Sequence, residues 1–338
     1  MKTQKLKFTF LVFIFSFSNL FSQYTEIINS NNPGFSESPY SVGSGVYQFE
    51  SSFFLKNLST NTPTSLDNSW GVDLAFRTSF FLERLEFDAA LTFQRDRLLG
   101  NFTNAYTINS GLSKIMVGAK YLIFESTYKD KSKEIRSWKR RFAFDTKRLI
   151  PSIAVFAGVN TDFVSDVYKT NTVSPRIGIL LQNELSNYFN VITNFFYDFI
   201  GTNFSEYQLT ITGTYNFNDR WSWFLENQTI FQQNQTNTSF AGGLAFLFNK
   251  DLQINTSARF LREAGNNGSY ITLGLSYRIN RHVDSYKLLD ENGNEIIDTP
   301  INRYNNKRKG FFNRIFSIFK KKNKGNKTRN RGKRKRNN

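Results

Sequence analysis

The sequence predicts an all-β protein: a transmembrane antiparallel up-and-down β-barrel of about 12 strands with a basic C-terminal tail. Three observations predict it. Between residues 45 and 281, polar and apolar residues alternate with period two, and turn or loop residues break the pattern about every 12 to 15 positions. Aromatics make up 17% of the 338 residues, 37 of them Phe, and nearly half of the 39% hydrophobic fraction. Such loading suits side chains that face lipid or its interface. Finally, the chain starts with an export signal, yet no later stretch offers about 18 consecutive apolar residues. If a membrane is spanned, only a closed barrel remains.

Taken from the N-terminus, Lys2, Lys5 and Lys7 precede the apolar run 8–17, and small residues follow near Ser22 and Gln23. Residues 1–22 read as a secretory signal peptide, cut between Ser22 and Gln23. There is no Cys at the cleavage region to carry a lipoprotein anchor. Residues 23–44 read as an N-terminal periplasmic segment. Pro33 and Pro39 remove backbone donors and Gly34 permits a tight bend, so this stretch is not a strand. Two readings stay open for 31–42, a plug folded into the barrel mouth or a mobile leader. In the plug reading, Glu37 meets Arg176, Arg259 or Arg278.

The barrel occupies 45–281, with strands expected near 45–56, 69–82, 84–95, 111–124, 149–160, 175–185, 188–199, 205–217, 220–233, 238–248, 251–263 and 269–280. In the second run Trp70, Val72, Leu74 and Phe76 share one face, with Asp73, Ala75 and Arg77 opposite. Turns at 82–84, 186–187, 218–220 and 249–251 are short, as periplasmic turns should be, and longer loops fall between them. The connection 125–147 breaks this rule. It is long and basic, and reads either as an amphipathic segment along the inner leaflet or as a solvated excursion. Trp70, Trp221, Trp223, Tyr188 and Tyr215 are the candidates for an aromatic membrane girdle. A soluble two-sheet sandwich is the rival fold.

With apolar side chains on lipid, the lumen receives Glu50, Asp73, Arg77, Glu86, Asp88, Lys114, Lys120, Arg176, Glu184, Asp198, Glu226, Arg259 and Arg278, with Glu37 added from the leading segment. Mixed charge implies cross-pairing and weak ion selectivity. Twelve strands lie between the eight that side chains fill and the sixteen that leave an open channel, which implies a narrow or partly plugged pore.

Enzymatic classes fare poorly. The single His, His282, follows the last strand beside Arg281 with no evident nucleophile, and the absence of Cys excludes thiolate metal sites, iron–sulfur clusters and disulfides. Glu86 and Asp88 share a strand face about 7 Å apart, a pair that any charged strand offers. The acidic stretch 290–295 lacks the order of a calcium loop. No catalytic residue, cofactor or metal is expected.

A resemblance appears just before the first strand. Asn32-Pro33-Gly34-Phe35-Ser36-Glu37-Ser38-Pro39, followed by Gly45, Gln48 and Glu50, resembles the opening of outer-membrane transporter-like proteins grouped as the "MetA-pathway of phenol degradation" family. There a Pro-Gly-x-[ST]-Glu-Ser-Pro run leads to Gly-x-x-Gln-x-Glu on the first barrel strand. This chain has Asn31-Asn32 where that family often has Asp-Arg. The resemblance implies a transporter-like barrel in the outer membrane of a Gram-negative bacterium, and says less about the solute.

Beyond the barrel, 282–306 reads as a polar linker, 307–322 as an amphipathic basic helix and 323–338 as a disordered polybasic tail. Residues 303–338 hold 16 of the 44 Lys and Arg and no acid, so the formal charge of +17 belongs largely to this tail. Between residues 23 and 302, 25 basic residues face 27 acidic ones. Lys320, Lys321, Lys322, Arg334 and Arg336 are candidates for surface binding to anionic lipid, cell-wall polymer or an acidic protein. Export argues against nucleic acid. Two functions stay open: a passive pore or transporter for small solutes, hydrophobic or aromatic ones included, and a non-conducting structural or assembly barrel whose periplasmic tail recruits an envelope partner. Both termini are expected in the periplasm.

Overall fold

The computed structural model of the chain describes residues 27–59, 66–80, 82–99, 106–127, 144–263 and 265–282. The signal segment, the basic stretch 128–143 and everything from residue 283 onward lie outside the described residues. These include the linker, the basic helix, the polybasic tail and its five surface-binding candidates.

Twelve strands are found among the described residues: β1 (Val46–Ser59), β2 (Leu66–Thr78), β3 (Leu85–Leu99), β4 (Tyr106–Phe124), β5 (Ser152–Asn160), β6 (Ser174–Glu184), β7 (Phe189–Asp198), β8 (Glu206–Asn216), β9 (Trp221–Gln232), β10 (Thr236–Asn249), β11 (Leu252–Glu263) and β12 (Asn266–Asn280). Each pairs antiparallel with its sequence neighbours, and β1 pairs with β12 to close the barrel. Closure leaves no edge, so every strand has a ladder partner on both sides. Among the described residues no helix is long and apolar enough to cross a membrane.

Two short 3-10 turns, Thr146–Leu149 and Asp166–Tyr168, punctuate the connections. Gly45 adopts φ 79° against the Arg281 carbonyl, where a Cβ would lie 3.1 Å from that oxygen, and so turns the chain into β1.

Strand boundaries differ from expectation mainly at one end of the barrel, here called the loop end. β3 runs on to Leu99 and β4 begins at Tyr106, so most of the expected loop 96–110 is ladder. The register shifts between Thr92, opposite Lys114, and Phe93, opposite Leu112. That bulge inverts the inward–outward phase of β4 and hides its first half from a period-two reading. β10 and β12 also start early, leaving connections at 233–235 and 264–265 as short as those at the opposite, turn end. Loop length therefore does not cleanly distinguish the two ends.

The two faces differ as the alternation implies. On β11 and β12, Ile254, Phe260, Ile271, Leu273, Leu275 and Tyr277 are exposed on the outside, while Asn255, Ser257, Arg259, Thr272, Ser276 and Arg278 are buried inside. The rule fails on β4 to β7, where Met116, Leu122, Ala154, Phe156, Leu180 and Phe196 form an apolar cluster inside the barrel. These strands interleave inward apolar residues with charged ones, so the lumen wall carries one apolar patch among its charges.

Inward Phe side chains lie flat on glycines of the neighbouring strand. Phe54 is registered opposite Gly71, Phe196 opposite Gly178 and Phe224 opposite Gly243. A Cβ on Gly178 would approach the Phe196 ring to 2.3 Å, and one on Gly243 the Phe224 ring to 2.4 Å. Glycine gives up its own packing so that the ring can cover the wall.

Candidate functional site

The site is the lumen together with the segment preceding β1. Residues 28–42 run inside the barrel, and wall side chains hold their backbone. Glu50 on β1 accepts from the Ser30 hydroxyl at 3.1 Å and from the Asn32 amide at 3.3 Å. Glu226 on β9 accepts the amides of Phe35 and Ser36 at 3.0 and 3.1 Å, and also the Thr212 hydroxyl at 2.8 Å. Glu86 on β3 accepts the Val42 amide at 2.7 Å. Carbonyls are met by cations and amides: Lys120 donates to Ser38, Arg77 and Gln48 to Asn29, and Asn194 to Glu37. Tyr40 donates to Glu184 at 2.9 Å and sits beside the apolar cluster.

Gly34 explains how Glu226 gets so close. A Cβ there would lie 2.7 Å from Oε2 of Glu226. Phe35 then projects towards the loop end, its ring 3.9 Å beneath the Arg259 guanidinium and 5.7 Å from the Tyr270 ring, which stacks on Phe54.

The three wall carboxylates that accept the segment's backbone amides, Glu50, Glu86 and Glu226, are also ion-paired. Arg77 contacts Glu50 at 3.1 Å, Glu86 at 2.8 Å and Asp88 at 3.6 Å, and Lys120 contacts Glu86 at 2.8 Å. Arg259 pairs with Glu226. Charges buried this deeply persist only when paired and hydrogen-bonded, and the segment's amides fill the lone pairs that the ion pairs leave over. Its interior position is thus built into the wall chemistry.

Further charge lies towards the loop end. Arg176 pairs with Asp198 at 2.5 Å and lies 4.1 Å over Phe196, and Asn160 donates to Asp198 at 2.6 Å. Asp73 accepts from Thr92, and Lys114 lies within electrostatic reach of Asp73, Asp198 and Glu206. At the turn end, Arg278 pairs with Asp251 at 2.9 Å.

All the wall candidates face the lumen, but Glu37 meets none of the three arginines expected for it. Its backbone bonds to Asn194 in both directions, while Arg176, Arg259 and Arg278 are taken by Asp198, Glu226 and Asp251. Trp221, Trp223, Tyr188 and Tyr215 lie at the turn end, with Phe217 stacked on Trp223 and edge-on to Tyr215. Trp70 is also outward, but towards the loop end, opposite Leu55 and Arg95, so it stands apart from that group.

Several lumenal residues escaped the sequence reading. Asp96 lies where a loop is expected, yet it is buried and accepts from Ser69 at 2.5 Å, Gln94 at 2.9 Å and Tyr168 at 2.9 Å. Glu206 opens β8 and accepts from Gln232 at 2.8 Å. Phe35 and Asn194 carry no charge and gave no signal. Two cavities flank the segment: one of about 450 Å³ at the turn end, lined by residues 27–34 with Thr212, Thr214 and Gln253, and one of about 170 Å³ beside Phe35 and Tyr270.

The segment and barrel so described coincide with a known family. The model of the family described as "Putative MetA-pathway of phenol degradation" matches residues 30–279, starting within the lumenal segment and ending in β12. The chain belongs to this family. Among solved structures it is similar to an outer membrane channel from Pseudomonas putida F1, at 9% identity and TM-score 0.52, over 75% of this chain and 100% of that one. The CymD monoaromatic hydrocarbon channel is also similar, at 10% identity and TM-score 0.43, over 77% of this chain and 95% of that one. No curated protein matches the sequence. At such identities the likeness concerns the fold, that of an outer-membrane barrel. In this family member, the Pro-Gly-Phe-Ser-Glu-Ser-Pro run of 33–39 is the part that Glu226, Asn194, Gln182 and Lys120 hold.

Proposed function

We propose that the protein is a passive outer-membrane pore for small solutes, with residues 28–42 as a plug that sets its permeability and both termini in the periplasm. The observation that carries this reading is the double amide contact of Phe35 and Ser36 with Glu226. A mobile leader would have no reason to be met at successive residues by carboxylates, cations and amides of eight strands. The cavities on either side of the plug support a path that the plug interrupts. The aromatic floor of Phe35, Tyr270 and Phe54 suits solutes that contain a ring.

The test is planar-bilayer recording of the refolded mature chain, residues 23–338. Discrete openings, blocked by the solutes that permeate, support a pore. Electrical silence from a demonstrably folded barrel overturns it and favours a structural barrel closed by its paired charges.

A further inference from the structure

The lumenal charge is not balanced along the barrel axis. Towards the loop end the inward side chains include Asp73, Asp96, Asp198, Glu206 and Glu263 against Lys56, Lys114 and Arg176. Two of these cations are spent, Lys56 on Glu263 at 2.8 Å and Arg176 on Asp198. Among the described residues at this end, Lys114 alone remains to face the other three carboxylates. Asp96, Asp73 and Glu206 are hydrogen-bonded by neutral donors only: Ser69, Gln94 and Tyr168 for Asp96; Thr92 and Tyr270 for Asp73; and Gln232 for Glu206. The remaining bases of the strands at this end, Arg95, Arg97 and Arg262, are exposed on the outer face. The connection 161–173 adds Asp162 and a neutral Asp166–Lys169 pair at 2.6 Å.

A second observation points to a ligand with hydrogen to donate. Asn160, only 6% exposed, gives its amide to Asp198 and leaves Oδ1 without a partner. The nearby Arg176 Nε, also unpartnered, belongs to a guanidinium that Asp198 already neutralises. A buried acceptor left over beside an ion pair is satisfied by an N–H donor, and the unbalanced carboxylates elsewhere at this end favour a donor that carries positive charge. The rings of Tyr270, Phe54 and Phe35 lie deeper along the same lumen, next to the 170 Å³ cavity. A single aromatic ring fits a cavity of about 150 Å³, and cations are drawn to such faces.

We infer that the loop-end vestibule selects positively charged solutes, and that the solute it admits is a small organic cation, an amine carried on an apolar or aromatic frame. This inference rests on the pore reading for transport, but the vestibule's charge can be read without conduction. The chain has no Cys among its residues, so a single Asn109→Cys, opposite Asp96 in the ladder, can be labelled cleanly in the full chain. Cationic and anionic methanethiosulfonate reagents are compared, each rate normalised to a free thiol. The vestibule should favour the cationic reagent by about threefold or more at low salt. The preference should collapse towards one in the Asp96→Asn/Glu206→Gln background. Gln208→Cys on β8 repeats the measurement if Asn109→Cys does not fold.

A ratio of one or below at both positions overturns the inference. Reversal potentials in a salt gradient give the second arm, with cation preference in the wild-type chain and less in the double variant. Conductance without cation preference overturns the vestibule alone. A charge-selective labelling ratio in a folded barrel that never conducts supports the vestibule and overturns the pore.

Discussion

The backbone amide of Phe35 donates to Oε2 of Glu226 at 3.0 Å, joining a segment that precedes the barrel to its ninth strand across 191 residues of sequence. Glu226 also receives Ser36, Thr212 and Arg259, so its position is determined from both sides. The contact depends on Gly34, because any Cβ there would press on the carboxylate. Gly34→Val should therefore release the plug while leaving every wall side chain intact. The expected outcome is a several-fold rise in conductance with a folded barrel, since overpacking costs about 1–3 kcal/mol. Unchanged conductance would count against the latch.

Arg77 is the hub of the wall network, in contact with Glu50, Glu86 and Asp88 and with the Asn29 carbonyl. Arg77→Met leaves three buried carboxylates with Lys120 as their remaining near cation. Removing one partner from a buried ion pair costs about 3–5 kcal/mol. Unfolding in urea from detergent should show a loss of that order, and adding Glu86→Gln should recover part of it. Equal stability of Arg77→Met and wild type would show that the network is solvated rather than structural.

The Phe–Gly pairs make a narrower claim. Gly178→Val drives two methyl groups into the Phe196 ring and should destabilise the barrel by about 1–3 kcal/mol. The same change at Gly201, where a Cβ would meet nothing within 4 Å, removes a left-handed turn residue at φ 80° but creates no ring clash. Phe196→Leu combined with Gly178→Ala should be milder than Gly178→Val. If it is not, ring-on-glycine packing is not what the pair contributes.

Tyr168, in the connection between β5 and β6, has its phenol pushed up to about 12 by burial and by its contact with Asp96. The unfolded phenol titrates near 10. Between those values the folded chain holds a proton that the unfolded chain has lost, so this contribution to stability is present below pH 10 and disappears as pH rises through about 12. Difference absorbance between wild type and Tyr168→Phe should show the missing phenolate signal appearing above pH 11. A signal centred near 10 would mean the loop does not rest on Asp96.

Much of the architecture was legible because each strand needs only one polar and one apolar face, and that pattern survives in a linear sequence. It was lost where the physics departed from it. The bulge at Thr92 and Lys114 reversed the phase of β4, and the first half of that strand looked like loop. The middle of β5 is apolar on both faces, so its inward Phe156 has no polar sequence neighbours to mark it. The identity of the charged lumenal residues could be read one by one, but their partners could not. Pairing depends on register around a closed barrel, and Glu37, placed against arginines by charge alone, lies beside Asn194 instead. Asp96 and Glu206 were hidden by their places at strand ends, although they give the vestibule its negative balance.

The central claim is that residues 28–42 lie in the lumen and limit what passes. The most direct test compares single-channel conductance of the mature chain with that of the same chain lacking 31–42, both shown to be folded by heat-modifiable mobility. Plugging requires a several-fold larger conductance and a higher solute size limit after deletion. Identical conductance and size limit from two folded barrels would contradict it.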